Sequence, residues 1–390
     1  MKPIILSNHT GYVSQIVCAC LTAVFASSAA AQADIQYAVT DLGAFGPLNV
    51  YASSSGVSIN ANGQITSEYL SSSEATLWSP IAPNGTSGTA FGLGTLAGSD
   101  SQGLSINASG QVVGISALGG GDHHAFVWNP TAPNGTNGAM HDLGTLGGSF
   151  SAATSINASG QVVGASNGHA FLWNPTTANS ASGMMFDLDA FGGSQATGIN
   201  AGGQVAGITA VSPTVQHGFL WTPTTPNDAS GSMADLGTLG GDQGSFAYAI
   251  NDAGQVTGHS YTTGNAEFHA FLYDGTMHDL GTLGGTISEG FGINNAGEVV
   301  GATFDANGML AYRYTVGTGM VDLNSLIDPN SGWHLFEADA INDAGQIAGT
   351  GVIRGEAHMF LLTAVPEPST VPLASIGFVG LLGYRQRRSA

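Results

Sequence analysis

Read as apolar and polar positions, the chain keeps returning to one pattern. Short apolar stretches flank a small knot rich in Asn and Gly, as in AYAINDAGQVTG around Asn251. Valine, isoleucine and aromatic residues stand at period two on either side, the alternation of half-buried strands. Asn251 and Gly254 fall at the first and fourth positions of a type I turn, where asparagine caps the turn and glycine takes the left-handed conformation. The segment predicts a hairpin. HAFLY, from His269, then supplies a third strand, and Asp274 with Gly275 turns the chain back into a fourth, TMHDLGTL.

The same unit recurs seven times. Its turn residues are Asn60 and Gly63, Asn107 and Gly110, Asn157 and Gly160, Asn200 and Gly203, Asn251 and Gly254, Asn294 and Gly297, and Asn342 and Gly345. Successive asparagines are 47, 50, 43, 51, 43 and 48 residues apart. An HAF-like element follows each turn, starting at Glu74, His124, His169, His217, His269, Leu310 and His358. A DLG-like element starts at Asp41, Gly92, Asp142, Asp187, Asp235, Asp279 and Asp322. Four strands in about 47 residues suit a propeller blade and are too many for one coil of a parallel β-helix. The fold expected is all-β: a seven-bladed β-propeller of four-stranded antiparallel blades over residues 35–362. The first DLG element precedes the first turn, and the last unit ends at HMFLL without one. Residues 35–43 are therefore expected to complete the last blade, as in tryptophan-aspartate repeat propellers, because an unclosed ring leaves a bare strand edge.

Five copies carry a histidine and an aspartate together: His124 with Asp142, His169 with Asp187, His217 with Asp235, His269 with Asp279, and His358 with Asp41. Copy one has Glu74 and Gly92 in these places, and copy six has Leu310 with Asp322. Histidines on separate blades do not converge as a metal requires, so structural pairing is the expectation. In copy five, a three-residue loop of Tyr273, Asp274 and Gly275 would set His269 directly opposite Asp279. A two-residue turn would set Ala270 there instead.

Both ends read as addresses. Lys2, the apolar run Ile16 to Phe25 and SSAAAQAD form a secretory signal over residues 1–33, with cleavage after Ala31 or Ala33 and signal peptidase as the implied partner. Cys18 and Cys20, the only cysteines, lie inside it. At the other end a linker, 363–370, holds Pro366, Glu367 and Pro368; an apolar segment follows from Val371 and ends in Arg385, Arg387 and Arg388. This order resembles the PEP-CTERM sorting signal, which implies processing by an exosortase at the inner membrane of a Gram-negative bacterium. Fourteen apolar residues span about 21 Å as a helix, a marginal transmembrane anchor fit for transient contact. The arginines would stay cytoplasmic and the rest outside.

Composition sharpens the reading. Charged residues are only 8% of the chain and the net charge is −20, which repels phosphate backbones and excludes nucleic acid as a partner. Between Asp34 and Val365 there are 25 acids against Arg313 and Arg354 alone. Such acidity permits weak, diffuse calcium binding; no Asp-x-Asp-x-Asp-Gly loop is present, and no other cofactor is implied. Asp122, His123 and His124 make a polar cluster that reads as a solvated loop. The GTLGG glycines lack a Walker lysine. Trp78, Trp128, Trp173 and Trp221 share one repeat position, which marks packing. The three recurring elements resemble the HAF repeat family of exported bacterial proteins, over residues 41–362. That resemblance implies export and a repeat fold without an established activity. The function expected is a non-enzymatic binding or structural module at the cell surface or in the extracellular matrix, linked to exopolysaccharide or biofilm, with a polysaccharide or surface protein as ligand. The alternative is a hydrolase or lyase acting on exopolysaccharide through acids such as Glu68, Glu74, Asp100, Asp242, Glu289 and Glu356.

Overall fold

The computed structural model describes residues 36–44, 56–67, 73–188, 193–306 and 308–365. The chain divides into two compact units, Met1–Gln36 and Tyr37–Ala390. Every strand described here belongs to the second. The signal segment with Ala31 and Ala33, and the tail with Pro366, Glu367, Pro368, Arg385, Arg387 and Arg388, lie outside the described residues.

The described chain is all-β apart from one 3-10 turn, Leu323–Leu326. The unit seen in the sequence folds as four antiparallel strands, paired in chain order. In copy five these are Gly240–Ile250, Val256–Thr262, Phe268–Tyr273 and Met277–Asp279. Five sheets have four strands each, and a sixth has eight. The larger one joins the sheets of copies four and five by a single parallel bridge, Gln216 to Gly244. Copy seven contributes Trp333–Ile341, Ile347–Ile353 and Glu356–Ala364 from its own sequence. Its fourth strand is Tyr37–Ala44, which pairs antiparallel with Glu356–Ala364 from Tyr37 opposite Ala364 to Ala44 opposite His358.

Each turn forms as its residue types dictate. Gly254 N–H donates to the Asn251 carbonyl at 3.0 Å, and Gly254 has φ +78°. The Asn251 side-chain oxygen accepts from the N–H groups of Ala253 and Gln255 at 3.1 and 3.0 Å.

Period-two burial, expected beside the turn, is not what the second strands show. In Val112–Ala117 both Val112 and Val113 are wholly buried. The reason is that the core lies between sheets and each sheet has two covered faces. Val112 packs with Phe126 and Trp128 against Ala75 and Leu77 of copy one, while Val113 packs with Val127 against Val162, Phe171 and Trp173 of copy three. The same division runs through the molecule, and Ala348, Met359 and Leu361 of copy seven pack against Ile59, Ile65 and Trp78 of copy one. The four repeated tryptophans are buried in these layers.

Polar groups join the same neighbours. Ser151 of copy three accepts from Ala125 N–H of copy two at 2.8 Å and donates to the Gly144 carbonyl at 2.6 Å. Arg313 of copy six donates to the Tyr37 hydroxyl at 2.8 Å and tethers the N-terminal strand from a second side.

Deleting residues 35–44 strips the pairing partner from Glu356–Ala364 and uncovers Tyr37's place in the core beside Leu335 and Phe360. The truncated chain should aggregate or melt at least ~10 °C lower in differential scanning calorimetry. Unchanged melting would show the strand to be dispensable.

Candidate functional site

The first strands converge on one cavity of about 960 Å³. In six of them the register to the second strand slips by one residue, and the extra residue is Leu104, Thr154, Thr197, Tyr248, Phe291 or Asp339. A bulge leaves its extra residue outside the ladder and re-aims the side chain. All six line the cavity, as does Val57 at the matching place in copy one. Isoleucine follows two residues later in every copy: Ile59, Ile106, Ile156, Ile199, Ile250, Ile293 and Ile341. These isoleucines, with the turn asparagines from Asn107 to Asn342, line a second cavity of about 270 Å³.

The turn asparagines do more than cap. The Asn60 side-chain N–H donates to the Asn107 carbonyl at 3.0 Å, Asn107 to Asn157 at 3.0 Å, and Asn157 to Asn200 at 3.1 Å. Asn200 donates to Asn251 at 3.1 Å, Asn251 to Asn294 at 3.0 Å, Asn294 to Asn342 at 3.4 Å, and Asn342 back to Asn60 at 3.1 Å. The glutamine four residues on repeats this outreach, Gln64 donating to the Asn134 carbonyl and Gln346 to that of Asn84.

The His and Asp side chains of each two-residue set meet. His Nδ1 lies 2.9 Å from the carboxylate in His124 with Asp142, His217 with Asp235 and His269 with Asp279, 3.0 Å in His169 with Asp187, and 2.7 Å in His358 with Asp41. The register differs from expectation. Asp279 stands opposite Phe271, and the loop is Asp274, Gly275 and Thr276, with Tyr273 opposite Met277. His269 is two residues along on the same face, a diagonal neighbour that a long side chain can reach. The same register holds where the loop is longer, with Asp142 opposite Phe126, Asp187 opposite Phe171 and Asp235 opposite Phe219, so it belongs to the unit and not to this turn. Asp279 also accepts from Gly281 N–H at 2.8 Å, so the aspartate of DLG caps its own turn, as Asp142 does through Gly144. In copy six Asp322 serves the 3-10 turn instead, accepting from Asn324 N–H.

The candidate acids are scattered. Asp100 lies 3.8 Å from His123, Glu356 lies 3.7 Å from His358, and Glu289 lies 3.0 Å from His259. Glu74 stands beside Gly92, Asp242 N–H donates to the Asn265 side chain, and Glu68 is outside the described residues. His123 and His124 open a strand, so only Asp122 keeps the expected loop position. Among the described residues, no three His, Cys, Asp or Glu side chains group as a metal site would.

A group that the sequence reading missed backs the cavity in copy five. His259 Nδ1 lies 3.0 Å from both the Tyr248 hydroxyl and Glu289 Oε1. The His259 ring stacks on Phe246 at 4.8 Å and meets Phe268 at 4.7 Å. The available signal was the repeat itself: His259 falls where copy one carries Glu68 and the others Ile115, Ala165, Ile208, Ala302 and Thr350. Burial, reinforced by the Glu289 charge, pushes the Tyr248 hydroxyl far above the usual tyrosine range. Burial raises Tyr312 likewise, and raises Tyr37 against the opposing charge of Arg313.

Residues 364–388 match the PEP-CTERM protein-sorting motif. The match marks the chain as exported, processed by exosortase and sorted to the surface of a Gram-negative bacterium. No curated protein matches the chain. Among solved structures, an alanine mutant of a puromycin hydrolase complexed with PGG is similar over 78% of this chain, at 12% identity and a TM-score of 0.47. The chain spans 53% of that structure's length. Among the described residues, no helix is long and apolar enough to cross a membrane.

Two outcomes follow from these contacts. His269→Ala should cost about 0.5–1 kcal/mol in urea unfolding, small because Asp279 is half exposed, and Asp279→Ala should cost more, since it also uncaps Gly281. Tyrosines held neutral by burial stabilise the fold fully below their unfolded pKa of about 10, and that stability is lost as pH rises beyond it. Urea midpoints should therefore fall above about pH 10, and Tyr248→Phe should flatten that fall.

Proposed function

We propose that this exported chain forms a closed seven-bladed β-propeller that binds an extracellular polysaccharide at the cell surface without cleaving it. The hydrogen bonds passing from asparagine to asparagine and back to Asn60 support closure, as does packing of copy seven on copy one. The fit of the three sequence elements to HAF repeats belongs to the same reading.

One observation carries the binding role: every copy lends a side chain to a single cavity whose wall is mostly neutral. It combines hydroxyls and amides, such as Ser105, Ser155, Gln195 and Gln216, with the rings of Phe246, Tyr248 and Phe291. Neutral hydrogen-bonding groups beside aromatic faces are what a sugar ring needs, apolar on its faces and polar around its rim. Glycoside hydrolysis needs two carboxyl groups about 5 to 9 Å apart. Among the described residues that line the cavity, Asp339 is the one acid. The hairpins joining second to third strands, which vary most from copy to copy, extend the reading from cavity to rim.

Purified protein should retain specific oligosaccharides on a glycan array while releasing no reducing sugar from them. Release above background that Asp339→Asn abolishes would overturn the binding role in favour of an enzyme.

A further inference from the structure

The two cavities meet at a row of isoleucines. Ile59, Ile199, Ile250, Ile293 and Ile341 line both, and Ile106 and Ile156 complete the row on the smaller side. Each stands one residue before a turn asparagine, and the hydrogen bonds that pass from Asn60 round to Asn342 and back keep the row from widening. The larger cavity, about 960 Å³, is at the top of the range of about 300 to 1,000 Å³ usual for small-molecule sites, and the smaller, about 270 Å³, falls below it.

The wall of the larger cavity is lowest at copy three. Its second and third strands pair only as far as Ser166 with His169, whereas copies two and four to seven all pair further toward the hairpin. The cleft beside it is also unfilled. Ala165 and Gly168 stand at the repeat positions where copy five carries His259 and Phe268, whose rings meet at 4.7 Å. Gln195 and Gln216 of copy four line the same side of the cavity, and Phe246 of copy five lies beyond them, half-buried. Both glutamines are exposed, and neither side-chain amide bonds to another described residue.

We propose that the cavity holds the end of a neutral glycan chain, laid in over copy three and stopped at the isoleucine row, so that the ligand is a chain terminus and not an internal stretch. The inference rests on the reading of the cavity as a saccharide site. An amide both donates and accepts, so Gln195 and Gln216 can each serve a sugar hydroxyl in either role. Phe246 offers an apolar face to the ring beyond them. An internal stretch has to leave as well as enter. Onward it meets only the isoleucines, where its hydroxyls would be buried without partners. Sideways, among the described residues, the wall has one low side.

The test is a binding titration of the purified exported protein with four neutral polysaccharides, dextran, pullulan, galactomannan and mixed-linkage β-glucan, each intact and cut by partial acid hydrolysis to one-tenth of its length. At least one should bind, and its half-saturating mass concentration should fall roughly tenfold on hydrolysis, as chain ends per gram rise by that factor. An unchanged half-saturating mass overturns the chain-end inference and leaves the saccharide reading standing. Binding of none of the four overturns the inference, and with an empty glycan array the saccharide reading falls too. Ala165→His, which gives copy three the residue that copy five carries there, should weaken binding at least roughly tenfold with melting unchanged. Gln216→Ala, at an exposed strand position, should weaken it several-fold and serves if Ala165→His does not fold. Undiminished binding by either folded variant overturns the path over copy three.

Discussion

One side-chain amide, repeated in each copy, holds the architecture together. The oxygen of Asn107 accepts two backbone N–H groups of its own turn, and its nitrogen donates to the Asn157 carbonyl of the next copy and to Gln111. The side chain is 4% exposed, so each of these groups would be costly to leave unpaired. No other residue of this size fits. Aspartate has the acceptor but would turn a carboxylate toward a carbonyl; serine and alanine lack the reach or the donor. Local turn and contact between copies are thus one constraint, and a copy that loses its turn also loses its neighbour.

Copy six shows how strictly that constraint is kept. Glu298 replaces the usual glutamine and still accepts from Asn294 at 2.7 Å. The charge so introduced has a counter-ion, since Arg313, one of two arginines between Asp34 and Val365, lies 3.8 Å away. The same guanidinium reaches the Tyr37 hydroxyl. Elsewhere most contacts between copies are amides, hydroxyls and apolar side chains, with Asp252, Asp343 and Glu289 beside His259 as the charged exceptions. Neutral contacts of this kind keep their strength across the salt range that screens ion pairs, which suits a protein sorted to the outside of a cell.

The sequence made the repeat, the four strands and the meeting of histidine with aspartate legible, because each leaves a local mark: a spacing, a turn pair, two residues that come and go together. What it hid depends on packing partners. The twofold burial of Val112 and Val113 has no local signature, since period two cannot tell whether the second face meets water or another sheet. The position of Asp279 opposite Phe271 is shared with Asp142, Asp187 and Asp235 opposite their own phenylalanines, a pairing set by the whole unit that the turn residues of one copy do not reveal. The outward donation by Asn60 was invisible for a like reason: capping already explained an asparagine there, and the spacing to Gln64 was the unused clue.

The bulge explains how so repetitive a scaffold can hold a specific site. Residues inside the ladder answer to their cross-strand partners, which is why alanine or glycine precedes the bulge in six copies and isoleucine follows it in all seven. The bulged residue has no partner in the ladder and is bounded mainly by the cavity. It can therefore be leucine in one copy, threonine in two and tyrosine, phenylalanine or aspartate in three others without disturbing the sheet. Deviation from the repeat is then itself informative. Where the unit departs at a paired position, as His259 does, the departure has to be met by partners, and Tyr248, Glu289 and two phenylalanines meet it. Where it departs at the bulge, no ladder partner demands the change, and the side chain answers instead to the cavity and to the next copy, as Thr154 and Thr197 do at the Ala196 and Ala247 carbonyls.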